Sequence, residues 1–250
     1  MSFATALVSV VAAYRFVDID DGPALRERLF SQAQHAGLKG TVLLAPEGIN
    51  LSLGGAHDPL QGWLDGLQQD PRFAALDIKW QQAQNMPFRR LRVKLKREII
   101  RMNQPNVRPQ AGRAPVVAVP TLARWLQAGL CDAGRPVVLL DTRNAFEVDA
   151  GAFDGALHWR LSKFSDFPDA LVQHAGELEG KTVVTYCTGG IRCEKAALWM
   201  AHAGVRNVLQ LEGGILRYFE QTPGAPHWQG DCVVFDDRQA VDTMLSAATA

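Results

Sequence analysis

The chain has 250 residues, of which 47% are hydrophobic and 21% charged, and its 26 basic and 26 acidic side chains give a formal net charge of zero. This composition fits an ordinary globular protein of one large or two small domains and excludes a disordered or fibrous one. A neutral total also excludes wholesale attraction to a polyanion, so any such attraction has to be local.

The N-terminal apolar run, Ala6 to Ala13, has no basic segment before it and is too short for a bilayer span. The expectation is a cytoplasmic protein with no export signal and no membrane partner. Four cysteines, Cys131, Cys187, Cys193 and Cys232, are too few and scattered for a disulfide framework and read as reduced thiols. "ALVSVVAAYRF" is a short β-branched run, expected to be a buried strand. In the next segment Asp21 can cap, Pro23 suits a first helical turn, Leu25, Leu29, Ala33 and Ala36 recur at helical spacing, and Gly37 stops the helix. "KGTVLLAPEGINLSLGG" reads as two strands around a turn at Pro46–Gly48. A helix with two glycines, "HDPLQGWLDGLQQD", follows, and "ALDIKWQQA" and "FRRLRVKLKREIIRM" close this half. The order βαββαβ is that of a ferredoxin-like domain, placed at residues 1–102. Residues 103–119 are proline-rich and read as a linker, with β-branched residues near its end that suit an extended, docked segment rather than a floppy one.

Beyond the linker the pattern alternates. "TLARWLQAGL" is a helix, "PVVLLDTR" a near-continuous apolar strand, and "NAFEVDAG" a helix. After "GALHWRL" come helical "FPDALVQHAGEL", strand "KTVVTYC", helix "RCEKAALWMAHAG", strand "NVLQL" and helix "GILRYFEQ". Alternation of short strands and helices predicts a doubly wound parallel α/β sheet over residues 120–225. "DCVVFDDRQAV" is expected to add a terminal strand within residues 226–250.

The segment "TYCTGGIRCEKA" carries the strongest chemical signal. Cys187 ends a buried strand and precedes a helix, where open α/β sheets bind ligands. Backbone N–H groups of the loop Cys187, Thr188, Gly189, Gly190, Ile191 and Arg192 can form an anion cradle at a helix N-terminus. The glycines allow the curl, and Arg192 adds a permanent cation, so the Cys187 thiol pKa is expected to be lowered. Such a thiolate can attack an electrophilic sulfur or hold a persulfide. Cys187 to Arg192 is C-x4-R, one residue shorter than the C-x5-R of cysteine phosphatases. The bland alternative is a buried structural cysteine. Cys193 is open to two readings, a resolving thiol for Cys187 or a small buried helix residue.

The loop length resembles that of the rhodanese family. "VVLLDTRNAFEVDAGAFDGALHW" is similar to that family's first signature, with Asp141, Arg143, Glu147, Gly151, Gly155 and Ala156 at matching places. "LEGGILRY" is similar to the second. Ala152 departs from the His that many rhodaneses carry. Asp141 and Arg143 read as a structural ion pair. Together with "KGTVLLAPEGINLSLGG", "RRLRVKLKREI" and "CVVFDDR", the chain resembles the two-domain rhodanese-like tRNA uridine(34) hydroxylase family, which has an N-terminal ferredoxin/acylphosphatase-like domain. The resemblance implies a tRNA-modifying oxidoreductase that hydroxylates wobble uridine at C5 with molecular oxygen. Cys187 would be its active-site, persulfide-forming cysteine. No other cofactor and no metal site is evident. The alternative is a sulfurtransferase moving sulfur from thiosulfate or a small-molecule or protein persulfide to a thiol.

Residues 88–101 hold seven Arg/Lys and one Glu, a local net charge of +6 in a neutral chain. On a strand, Arg90, Arg92, Lys94 and Lys96 share one face and Leu91, Val93 and Leu95 the other. The row could contact tRNA phosphates or be a solvated edge strand defended by charge. Glu47, Gly48 and Asn50 read either as substrate-facing or as turn residues. Glu194 and Lys195 are expected to frame the loop or sit in solvent.

Overall fold

The computed structural model describes residues 7–248 and divides into two compact units. The first comprises residues 7–99 and 235–239, the second 100–234 and 240–248. Ala6, where the first strand was expected to begin, lies outside the described residues.

In the first unit the strands are β1 (Val8–Phe16), β2 (Lys39–Ala45), β3 (Gly48–Gly55), β4 (Asp77–Ala83) and β5 (Leu91–Leu95), and the helices are α1 (Gly22–His35) and α2 (His57–Gln68). The sheet order is β4-β1-β3-β2-β5. β1 runs antiparallel to β3 and β4, and β2 antiparallel to β3, whereas β5 is parallel to β2, with Val42 opposite Val93. The ferredoxin-like order thus gains a fifth strand at one edge. Alternate residues Val11 and Ala13, Val42 and Leu44, and Ile49, Leu51 and Leu53 turn toward one core. Leu25, Leu29 and Ala33 of α1 and Leu60, Trp63, Leu64 and Leu67 of α2 close it. Burial of that apolar stripe outweighs the roughly 1 kcal/mol that each of Gly62 and Gly66 costs a helix. Gly48 requires its residue type: a Cβ there would lie 2.1 Å from the Arg15 carbonyl oxygen, at φ +149°.

The second unit holds β6 (Val116–Val117), α3 (Val119–Ala128), β7 (Val137–Asp141), α4 (Ala145–Ala150), β8 (Gly151–Phe153), β9 (Leu157–His158), α5 (Phe167–His174), β10 (Thr182–Tyr186), α6 (Ile191–His202), β11 (Val208–Leu211), α7 (Gly214–Gln221) and β12 (Trp228–Gly230). Its main sheet, β6-β11-β10-β7-β9, is parallel throughout. All five residues of the central β10 are buried, as a near-continuous apolar run predicts.

Two details differ from the sequence reading, and a third, the docking of the linker, follows from its β-branched residues. The terminal strand does not join the main sheet: Cys232–Val233 (β13) and Ala240–Val241 (β14) form a separate antiparallel pair. Between them, residues 235–239 belong to the first unit, where Asp237 N–H donates to the Pro87 carbonyl and the Arg238 guanidinium to Gln81 Oε1, which needs a partner because Gln81 is buried. The proline-rich stretch after residue 102 is anchored in the second unit. Val107 and Ala114 enter its core, and Gln210 Nε2 donates to the Ala114 carbonyl.

Candidate active site

Parallel pairing of β10 with β7 and β11 brings Cys187 to the carboxyl edge of the sheet centre. The chain turns at Gly190, whose φ of +102° suits glycine, and enters α6 at once. Gly189 has no comparable need, since a Cβ there would meet nothing within 4 Å. Gly190 N–H points at the Cys187 Sγ from 3.2 Å. Burial alone would raise the thiol pKa. The neighbouring Cys193 side chain, the Arg192 guanidinium and the backbone N–H groups of Cys193 and Arg192 overcome it and lower the pKa to about 5. Cys187 is therefore a thiolate at neutral pH, and its side chain is fully buried.

Arg192 acts less freely than the sequence suggests. Its guanidinium makes two hydrogen bonds, 2.6 and 2.7 Å, to Glu147, and both side chains are buried. The same carboxylate accepts the Asn144 N–H at 3.1 Å at the start of α4. The Asn-x-x-Glu spacing of a capping box was the signal for that local bond; the pairing with Arg192, 45 positions away, had none.

The other signature residues build the frame. Asp141 and Arg143 form a fully buried ion pair at 2.6 Å, and Arg143 also donates to the Gly151 carbonyl and lies over the rings of Tyr186 and Trp228. Gly151 leaves no room for a Cβ, which would fall 2.5 Å from the Asp231 carbonyl oxygen. In "LEGGILRY", Gly214 lets α7 lie directly on the cysteine loop. Ile215 N–H donates to the Cys187 carbonyl and Leu216 N–H to that of Thr188.

Cys193 sits on the first turn of α6, fully buried, with its Sγ 4.0 Å from the Cys187 Sγ and 3.0 Å from the Gly190 carbonyl oxygen it donates to. Burial and the neighbouring Cys187 charge push its pKa well up, so it stays a thiol. Glu194 and Lys195 are not in solvent. Both are buried: Glu194 faces Arg113 at 3.6 Å, and Lys195 Nζ donates to the Ile100 carbonyl. They tie residues 100 and 113 of the incoming chain to α6.

In the first unit, Glu47 accepts the Ile99 N–H at 2.7 Å and Asn50 donates to the Ile99 carbonyl at 3.3 Å, so both hold the backbone beyond β5. The basic row lies on the β5 edge. Gly40 N–H donates to the Arg90 carbonyl and Lys96 N–H to the Leu44 carbonyl, extending the ladder one residue each way. Arg90, Lys94 and Lys96 are exposed and Arg92 half-buried. Val93 faces the core, but Leu95 is 45% exposed because the strand ends there. Among the described residues no cluster of three or more His, Cys, Asp or Glu is arranged to hold a metal, and no helix is long and apolar enough to cross a membrane.

Comparison with known proteins accounts for both units. Residues 8–99 match the UPF0176 acylphosphatase-like domain, and residues 122–221 the rhodanese-like domain. A tRNA uridine(34) hydroxylase of Variovorax paradoxus is 60% identical over 96% of this chain and 91% of its own length. The chain belongs to the tRNA uridine(34) hydroxylase family. Relatives of the same name from Bordetella avium and Cupriavidus necator are 57% and 52% identical, covering 94% and 95% of this chain and 97% and 84% of their own. Within this family architecture, the cysteine loop belongs to the rhodanese-like domain and the basic edge strand to the acylphosphatase-like one.

Proposed function

We infer that this chain is an enzyme that hydroxylates uridine 34 of tRNA, placing the oxygen at C5 with molecular oxygen as co-substrate and Cys187 as the reacting group. The observation that carries the reading is family membership at 52–60% identity over nearly the whole chain. Cys187 adds the chemistry: a thiolate held by backbone N–H groups at the edge of a parallel sheet is the most reactive nucleophile among the described residues. Arg90, Arg92, Lys94 and Lys96 would neutralise tRNA phosphates, and a protein acting on tRNA would work in the cytoplasm. The test is wobble-nucleoside mass spectrometry in a deletion strain rescued with wild type or Cys187→Ala. Restoration of 5-hydroxyuridine-derived nucleosides by wild type alone is expected; restoration by both would remove Cys187 from the mechanism, and by neither would remove the activity.

The C-x4-R loop in a rhodanese-like domain favours a second reading, in which the Cys187 thiolate takes up a sulfane sulfur from thiosulfate or a persulfide donor. An intact-mass gain of one sulfur atom, absent from Cys187→Ala, would support it. No gain after incubation with donor would remove it.

A further inference from the structure

The proposed hydroxylation is incomplete as an electron account. One oxygen atom of O2 is inserted at the uridine C5–H bond, which gives up two electrons. The other atom must leave as water, and that takes two more electrons and two protons from a donor. Resting on the hydroxylase reading above, we propose that Cys187 and Cys193 are that donor, a dithiol that closes to a disulfide as the uridine is hydroxylated.

The geometry carries this. The two sulfurs are 4.0 Å apart, close to van der Waals contact, and both are buried. A disulfide needs about 2.05 Å, so the two sulfurs must close by about 2 Å. The pair is also chemically asymmetric: Cys187 is the thiolate and Cys193, its sulfur 4.0 Å away, the thiol. Such a pairing of a poised nucleophile with a protonated partner is what disulfide formation between neighbours uses. The other two cysteines are engaged elsewhere. Cys131 Sγ accepts the Thr182 hydroxyl at 3.2 Å, and Cys232 Sγ lies 3.8 Å from the Val233 carbonyl oxygen.

The step balances. Uridine C5–H, O2, the Cys187 thiolate, the Cys193 thiol and one solvent proton give C5–OH, one water and the Cys187–Cys193 disulfide. The S–H bond of Cys193 breaks and an S–S bond forms. Each sulfur is oxidised by one electron, and O2 takes four in all. An external thiol must then reduce the disulfide before a second turnover.

Positions 187 and 193 also fall on different tryptic peptides, because Arg192 and Lys195 flank Cys193. The test uses the full chain, reduced and then freed of reductant, mixed in air with tRNA from a strain deleted for this protein. Expected from wild type is up to one 5-hydroxyuridine per enzyme, with residues 182–192 disulfide-linked to residues 193–195 in equal amount. Turnover resumes only on adding a thiol. Cys193→Ser and Cys193→Ala should give no more than about a tenth of the wild-type single-turnover yield. Product from wild type with both thiols still free for alkylation, or full single-turnover yield from a Cys193 variant, would overturn the dithiol role and leave the hydroxylase reading standing. No product from any protein even with excess thiol would sink both. The wild-type peptide measurement decides the matter even if neither variant folds.

Discussion

Gly214→Ala should displace the cysteine loop without touching a charge or the nucleophile. The new Cβ would lie 2.4 Å from the Cys187 carbonyl oxygen and 2.8 Å from both the Gly190 nitrogen and the Thr188 carbonyl oxygen, all backbone atoms that cannot swing aside. Reaching an ordinary contact of 3.4 Å from the first of these requires 3.4 − 2.4, a shift of about 1 Å, beside the reacting sulfur. The residue also sits at φ +68°, which costs a side-chain-bearing residue about 1–2 kcal/mol. Overpacking of a filled site adds about 1–3 kcal/mol, for a loss of roughly 2–5 kcal/mol. A misplacement near 1 Å can cost about 100-fold in rate. Gly189→Ala is the control, because its Cβ meets nothing within 4 Å. The assay pairs the urea midpoint with 5-hydroxyuridine formation per unit time. Equal midpoints and equal rates for the two variants would refute the claim that α7 sets the loop by direct contact.

Glu147→Gln leaves the Arg192 guanidinium buried without its counter-charge and should destabilise the second unit by about 3–5 kcal/mol in thermal unfolding; a loss under about 1 kcal/mol would mean the pair is not desolvated. A step that needs the Cys187 thiolate should run at constant rate through neutral pH and fall as pH drops through about 5, whereas a rate rising toward pH 9 would indicate an unperturbed thiol. The sign follows for stability as well. The folded-state pKa lies below the ordinary 9.0, so the contribution is complete above that value and is lost as pH falls through about 5. Changing Arg90, Arg92, Lys94 and Lys96 together to Gln should weaken tRNA binding and lower the salt slope of log Kd by up to about 3–4, measured by filter binding across KCl concentrations; an unchanged slope would assign the row to edge protection.

Much of the architecture was legible in residue order. Short β-branched runs such as "LVSVVAA" and the i, i+4 spacing of Leu25, Leu29 and Ala33 specify local structure, because β-branched residues favour strands and burial rewards one face of a helix. The cysteine loop was legible for a similar reason: strand, glycine turn and helix start are consecutive, so their chemistry is local. The fifth strand was harder. "LRVKL" alternates like any strand, yet nothing local says that it runs parallel to β2. Residues 235–239 read as part of the second half of the chain and instead sit in the first unit through Arg238 and Gln81, 157 positions apart.

By itself the sequence determined the two-part division, the strand-to-helix placement of Cys187 and the concentration of cations near residue 90. Each depends on spacing within a few turns of chain. Only the tertiary structure decided the partners and contacts around the sulfur. Arg192 is neutralised by Glu147 from another helix, Gly214 is required because α7 lands on the loop, and Cys193 stands 4.0 Å from Cys187 across a turn. Those facts depend on where distant segments meet after burial, which removes water as a competing partner and makes each neighbour's charge and size count.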